Sequence, residues 1–235
     1  MSYKAALAAA LVVVVAAPAS AQVTGGSLGI EYSTPIDGDD FGGTAYYGAI
    51  EYGFNRDFSV SADLSGYRLD NIDTDASSLT LHGVYHLNET LSVGAFYGLD
   101  KLETSDAVGL YGVEAGTEFL GGEVEGYLGQ VDGNISTATV LGADGIYSFG
   151  NGFSAIGNAA FSFQDDSDVS RIAVGAQYDM LDGPQFYVEV GQTDVEVGGI
   201  SDDDTFIAVG TRVAIGAQRG TTFGPRSLFE ILPGF

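Results

Sequence analysis

The chain has 235 residues, 32 acidic against 8 basic side chains for a formal net charge of -24, 35 glycines, and neither cysteine nor tryptophan. That balance excludes a nucleic-acid partner, because holding phosphate needs a basic surface. Without cysteine, the fold must rest on hydrogen-bonded structure and burial alone.

The N-terminus, MSYKAALAAALVVVVAAPASA, carries Lys4, an apolar run from Ala5 to Ala17 and the small-residue ending Ala19-Ser20-Ala21. Together these predict a signal peptide over residues 1–21 and a mature chain starting near Gln22. The run is shorter than the roughly 20 residues a helical span requires. No apolar run of spanning length follows, so a mature chain that enters a membrane must do so as strands.

From Gln22 onward, twelve segments alternate apolar and polar residues: 24–33, 44–54, 57–66, 77–87, 90–100, 108–119, 122–131, 138–149, 152–164, 170–180, 184–193 and 204–217. Most approach the ~9–11 residues of a tilted membrane-crossing strand. After even-numbered segments come short links rich in Asn, Asp and Gly: NRD (55–57), NET (88–90), GG (121–122), GNG (150–152) and LDGP (181–184). After odd-numbered ones come acidic links expected to form longer loops, at 34–43, 67–76, 101–107, 132–138, 164–169 and 194–204. Short turns at one end and long loops at the other are the pattern of a membrane barrel.

The period of two also predicts which face each residue takes. Leu28, Ile30, Tyr32, Ile50, Leu81, Tyr97, Val174, Ile207 and Val209 fall on the outward register, toward lipid, whereas Ser61 and Ala208 fall inward. Outward aromatics gather beside the short turns (Tyr52, Phe54, Phe58, Tyr85, Phe119, Tyr147, Phe149, Phe153, Tyr178 and Phe186), as an interfacial belt would. Tyr46, Tyr97, Phe161 and Phe163 lie toward the opposite rim.

The inward register carries Glu31, Glu51, Asp63, Glu114, Glu125, Asp144, Arg171, Glu189 and Arg212, the candidate pore-lining residues. A dry core could not take so many charges without partners, whereas a wet lumen hydrates them. Two arginines among seven carboxylates leave such a lumen negative, which favours cations. Inward Ala49, Gly53, Gly94, Gly98, Ala173, Gly175, Ala208 and Gly210 are expected to leave its volume unfilled.

On this architecture, over residues 22–217, the chain resembles the Gram-negative outer-membrane β-barrels, and among them the small porin-like channels. The resemblance implies an all-β fold: a closed, antiparallel, up-and-down transmembrane barrel of about twelve strands, set in outer-membrane lipid with both termini in the periplasm. It also implies passive diffusion of small hydrophilic solutes. The third long link, 101–107, is too short for the folded-in constriction loop of larger porins. Residues 218–235, RGTTFGPRSLFEILPGF with the Gln before it, carry Pro225 and Pro233 and do not suit a strand. They are expected to form a C-terminal periplasmic tail against the barrel's lower mouth.

His82 and His86 share the inward face of the fourth segment with no nucleophile motif beside them, so ordinary hydrogen-bonding roles, and no enzymatic activity, are expected. The loop acids lack the ordered ligand spacing of a calcium loop, and neither a metal nor a cofactor is expected. The rival reading is a closed structural or surface-interaction barrel, its lumen filled by ion pairs. Self-association is left open.

Overall fold

The computed structural model describes residues 22–36, 42–69, 74–133, 137–181, 183–216 and 220–231. The expected signal peptide and parts of the links at 34–43, 67–76 and 132–138 lie outside them. Twelve strands follow in order: β1 (Gln22–Pro35), β2 (Gly43–Gly53), β3 (Phe58–Leu69), β4 (Thr74–His86), β5 (Leu91–Leu102) and β6 (Val108–Phe119), then β7 (Gly122–Asp132), β8 (Thr137–Gly150), β9 (Phe153–Gln164), β10 (Ser167–Asp179), β11 (Gln185–Val197) and β12 (Ile200–Gly216). Each pairs antiparallel with its neighbours in sequence, and β1 pairs with β12, so the sheet closes into a barrel. Closure leaves no open edge, which is what allows strands to sit in lipid.

The expected register holds at the outer wall, where Leu28 is 62% exposed, Val174 61% and Tyr97 50%. Rings beside the short turns touch one another, with centroids 5.5 Å apart for Tyr52 and Phe54, 5.4 Å for Tyr147 and Phe149 and 4.8 Å for Phe153 and Tyr178. Two of those turns share one device. Asn55 Oδ1 accepts from the amides of Asp57 and Phe58 at 2.8 and 2.9 Å, and Asn88 Oδ1 from those of Thr90 and Leu91 at 2.9 Å each. Each side chain thus stands in for a backbone acceptor and fixes its turn.

Two of the acidic links expected as long loops are strand instead. Between β9 and β10 only Asp165 and Asp166 intervene, and between β11 and β12 only Gly198 and Gly199, with φ of 59° and 81°. A Gly-Gly pair at positive φ makes a two-residue turn matched to strand twist, so pairing continues to the tip.

The largest departure concerns the segment after β12. In place of a tail against the lower mouth, residues 220–231 lie inside the barrel, entering from the short-turn end. Gly216 (φ 88°) ends β12, and Gly220 (φ 91°) passes so close to Gly25 that a side chain at 25 would meet its carbonyl. Further in, Phe223 is fully buried, and the segment closes in a single 3-10 turn, Leu228–Glu230, capped by Ser227 Oγ accepting from the Phe229 amide at 3.1 Å. Phe229 packs with Ala45, Tyr67 and Ala76, and Ile231 with Phe96, Leu110, Val131, Ala138 and Val140. The inner wall near the long links is therefore an apolar core built around the returning chain.

Small inward residues do not leave the lumen empty. Phe96 faces Gly112 across the β5–β6 ladder, Tyr127 faces Gly142, Tyr187 faces Gly210 and Phe206 faces Gly191. In each pair a side chain on the glycine would run into the ring. Gly94 likewise lies beside Phe223, and Ala208 is fully buried against Ala173 and Phe206. The missing side chains make room for rings from the next strand, the packing that restores lost contact at a strand glycine.

Candidate functional site in the lumen

All nine sequence-predicted residues face the interior, and the structure gives each a partner or a place. Glu31 Oε2 accepts from the Tyr187 hydroxyl at 2.8 Å, and Glu189 Oε1 from Asn158 Nδ2 at 3.0 Å. Glu51 accepts from Thr24 Oγ1 at 3.0 Å and from the Thr222 amide at 2.7 Å. Arg212 Nε donates to Gln185 Oε1 at 3.0 Å. Arg171 donates to the Glu230 carbonyl at 3.2 Å and lies 4.6 Å over the Phe206 ring.

The remaining four, Asp63, Glu114, Glu125 and Asp144, gather around a residue that periodicity could not place. Arg226, on the returning segment, has a side chain only 2% exposed; its Nε lies 3.1 Å from Glu114 Oε2, its Nη2 3.2 Å from Glu125 Oε1 and its Nη1 3.7 Å from Asp144 Oδ2. The guanidinium also sits 4.5 Å over the Tyr127 ring. Glu114 continues the network, its Oε1 lying 2.7 Å from His82 Nδ1, whose Nε2 is 3.0 Å from Asp63 Oδ2. The expected lumenal charge network thus has its centre at Arg226, with Arg171 and Arg212 toward its edge. Its buried charges are tolerable because each meets an opposite one.

His86 lies nearer the short turns, with Nε2 3.2 Å from Ser59 Oγ and Nδ1 2.8 Å from Ser92 Oγ. Its second nitrogen meets a hydroxyl where a Ser-His-Asp arrangement puts a carboxylate. His86 thus has the hydrogen-bonding role expected of it, while His82 belongs to the carboxylate network.

Between the returning segment and the wall remains a cavity of about 1320 Å³, lined by Glu31, Glu51, Asp63, Glu125, Asp144, Arg171, Glu189 and Arg212. It reaches the short-turn rim at Asn55, Asn88 and Gly121, and Glu230, Pro225 and Arg226 form part of its inner boundary. Glu114, alone of the nine, is covered, beneath Arg226. Among the described residues no group of His, Asp and Glu is arranged to hold a metal ion. The arrangement can therefore admit ions and small polar solutes on one side and, among the described residues, is filled by apolar packing on the other.

No protein-family model matches the sequence, and no curated protein matches it. Solved structures do. The NanC porin superposes with a TM-score of 0.61 at 9% identity over 79% of this chain and 98% of its own. The KdgM porin gives 0.58 at 14% over 79% and 97%, and the COG4313 outer membrane channel from Pseudomonas putida F1 gives 0.55 at 14% over 85% and 97%. At such identities the likeness establishes the fold and leaves the activity to be argued from the chain's own residues. By its closed twelve-strand antiparallel barrel, its apolar outer wall and these superpositions, the chain has the fold of the outer-membrane porin-like β-barrels.

Proposed function

We propose that the protein is a non-enzymatic outer-membrane channel for passive diffusion of small hydrophilic solutes, cation-preferring, with the segment 220–231 as its internal stop. The observation that carries this reading is the charged cavity, lined by carboxylates that outnumber arginines and reaching the short-turn rim. Carboxylates in a wall of low dielectric concentrate cations and repel anions. The short turns and both termini face the periplasm in this reading, so the cavity fills from there, and passage requires the segment to shift.

The segment itself favours a second reading, a closed barrel whose exposed hairpins meet ligands or neighbouring surfaces. Conductance across planar bilayers separates the two. The full chain is expected to open rarely, and a chain lacking residues 218–235 to conduct steadily, with reversal potentials in a salt gradient on the cation side. Glu189→Gln in that shortened chain should move the potential toward zero. A shortened barrel, shown folded, that conducts at no salt concentration would establish the closed reading.

A further inference from the structure

The returning segment is held as a ligand is held. Every second backbone amide donates to a wall side chain: Thr222 to Glu51 Oε2 at 2.7 Å, Gly224 to Glu125 Oε1 at 3.3 Å, Arg226 to Thr80 Oγ1 at 3.3 Å and Leu228 to Asp100 Oδ2 at 2.6 Å. The Thr80 hydroxyl donates in turn to the Arg226 carbonyl at 2.9 Å. Between bends at 221–223 and the 3-10 turn at Leu228–Glu230 the amides are read at a period of two by side chains from four strands, β2, β4, β5 and β7, instead of by a neighbouring strand's backbone.

Side-chain subsites accompany the backbone contacts. Glu114, Glu125 and the Tyr127 ring enclose the guanidinium, and the planar group meets two carboxylates and an aromatic face at once, a combination that suits arginine better than lysine. Phe223 lies stacked against His82 with centroids 6.4 Å apart, in the room left by Gly94 and Gly116, and Ser227 Oγ donates to Asp100 Oδ1 at 3.0 Å. With the segment gone, water would have to take the place of these donors at Glu51, Asp100 and Glu125.

We propose that the lumen wall is a binding site for an arginine-bearing peptide, which the chain fills with its own residues 222–229 and which a peptide supplied from outside can occupy in their place. The site is defined by binding, so it stands or falls separately from conduction.

The test uses a barrel lacking residues 218–235, purified in detergent, and a fluorescent peptide of sequence TTFGPRSLFE, residues 221–230. The peptide should bind saturably, and its counterpart with citrulline replacing Arg226 at least about tenfold more weakly, since removing one member of a buried charge pair leaves the other unmatched. Absence of binding to the folded barrel, or equal binding of the two peptides, overturns the proposal. Should the shortened barrel fail to fold, the full chain provides a second reading. It has no cysteine, so Thr221→Cys makes a single reporter on the buried segment. Adding Arg226→Ala should raise its thiol-labelling rate at least about tenfold, and methylguanidinium, but not methylammonium at equal concentration, should slow it again. An unchanged rate, or equal rescue by the two cations, overturns the guanidinium site.

Discussion

Toward the short turns the inner wall carries Ser59, Ser92, Ser154, Gln177 and Glu51 around a cavity open at the rim. Toward the links the same strands carry Tyr67, Phe96, Leu110, Val131 and Val140, closed around Phe229 and Ile231. Both halves obey one alternation, and every one of these residues lies on the inward register. The period of a strand tells which way a side chain points and nothing about what it meets there. In the short-turn half it meets other polar groups at the edge of a cavity, and in the link half it meets the chain's own returning segment. A lumen in this protein is two environments end to end, with Arg226 and its carboxylates at the border between them.

Truncating one apolar side chain in each half is the most severe test of that comparison. Phe96→Ala, in the sealed half, should cost about 3–5 kcal/mol, because the ring fills the space above Gly112 and Gly129 and nothing else can. Ile156→Ala, which lines the cavity, should cost about 1 kcal/mol, since its apolar surface is only partly removed from water and the space it leaves opens onto the cavity. Reversible urea unfolding in lipid vesicles measures both, and equal losses would erase the difference between the halves.

Arginine on the two faces of the wall gives a somewhat smaller contrast. Val209→Arg, on the outer wall, should cost about 2–4 kcal/mol in a bilayer. Ala49→Arg, facing the cavity, should stay near about 0.5 kcal/mol. The inward neighbour Ala208 is no substitute for Ala49, because it is fully buried against Phe206 and would be overpacked. If Ala49→Arg proved as damaging as Val209→Arg, the short-turn half would be as filled as the other.

The smallest expected effect lies at the tip of the β11–β12 hairpin. Gly199→Ala forces a side chain into φ 81° and should cost about 1–2 kcal/mol, spent locally. Faster amide exchange confined to residues near 197–201, with global unfolding unmoved, is the expected pattern. Loss of global stability would mean that the hairpin is part of the cooperative barrel.

Much of the fold was legible because lipid and water impose a simple rule on a strand that separates them. Alternation placed all twelve strands within a few residues, and it put Leu28, Val174 and Val209 outside and Glu31, Glu51 and Glu189 inside. The link lengths were less legible. The acids around Gly198-Gly199 made 194–204 read as one loop, since a strand rising above the bilayer has no lipid to mark its outer face. The ring-over-glycine pairs were written in the sequence as well, but Tyr127 and Gly142, or Tyr187 and Gly210, become neighbours only once the register between strands is known.

By itself, then, the sequence determined the twelve-strand alternation, the two faces of the wall and the nine inward charges, since each follows from local period and composition. Tertiary structure alone decided what fills the lumen. Pro225 and the glycines of the last segment showed only that it is not a strand. Its position depends on Glu51, Thr80, Asp100, Glu114 and Glu125, which are scattered over five strands and converge on Arg226 and its neighbours only when the barrel has closed. Contacts of that separation leave no periodic trace in a chain, because they are set by the curvature and register of the whole sheet.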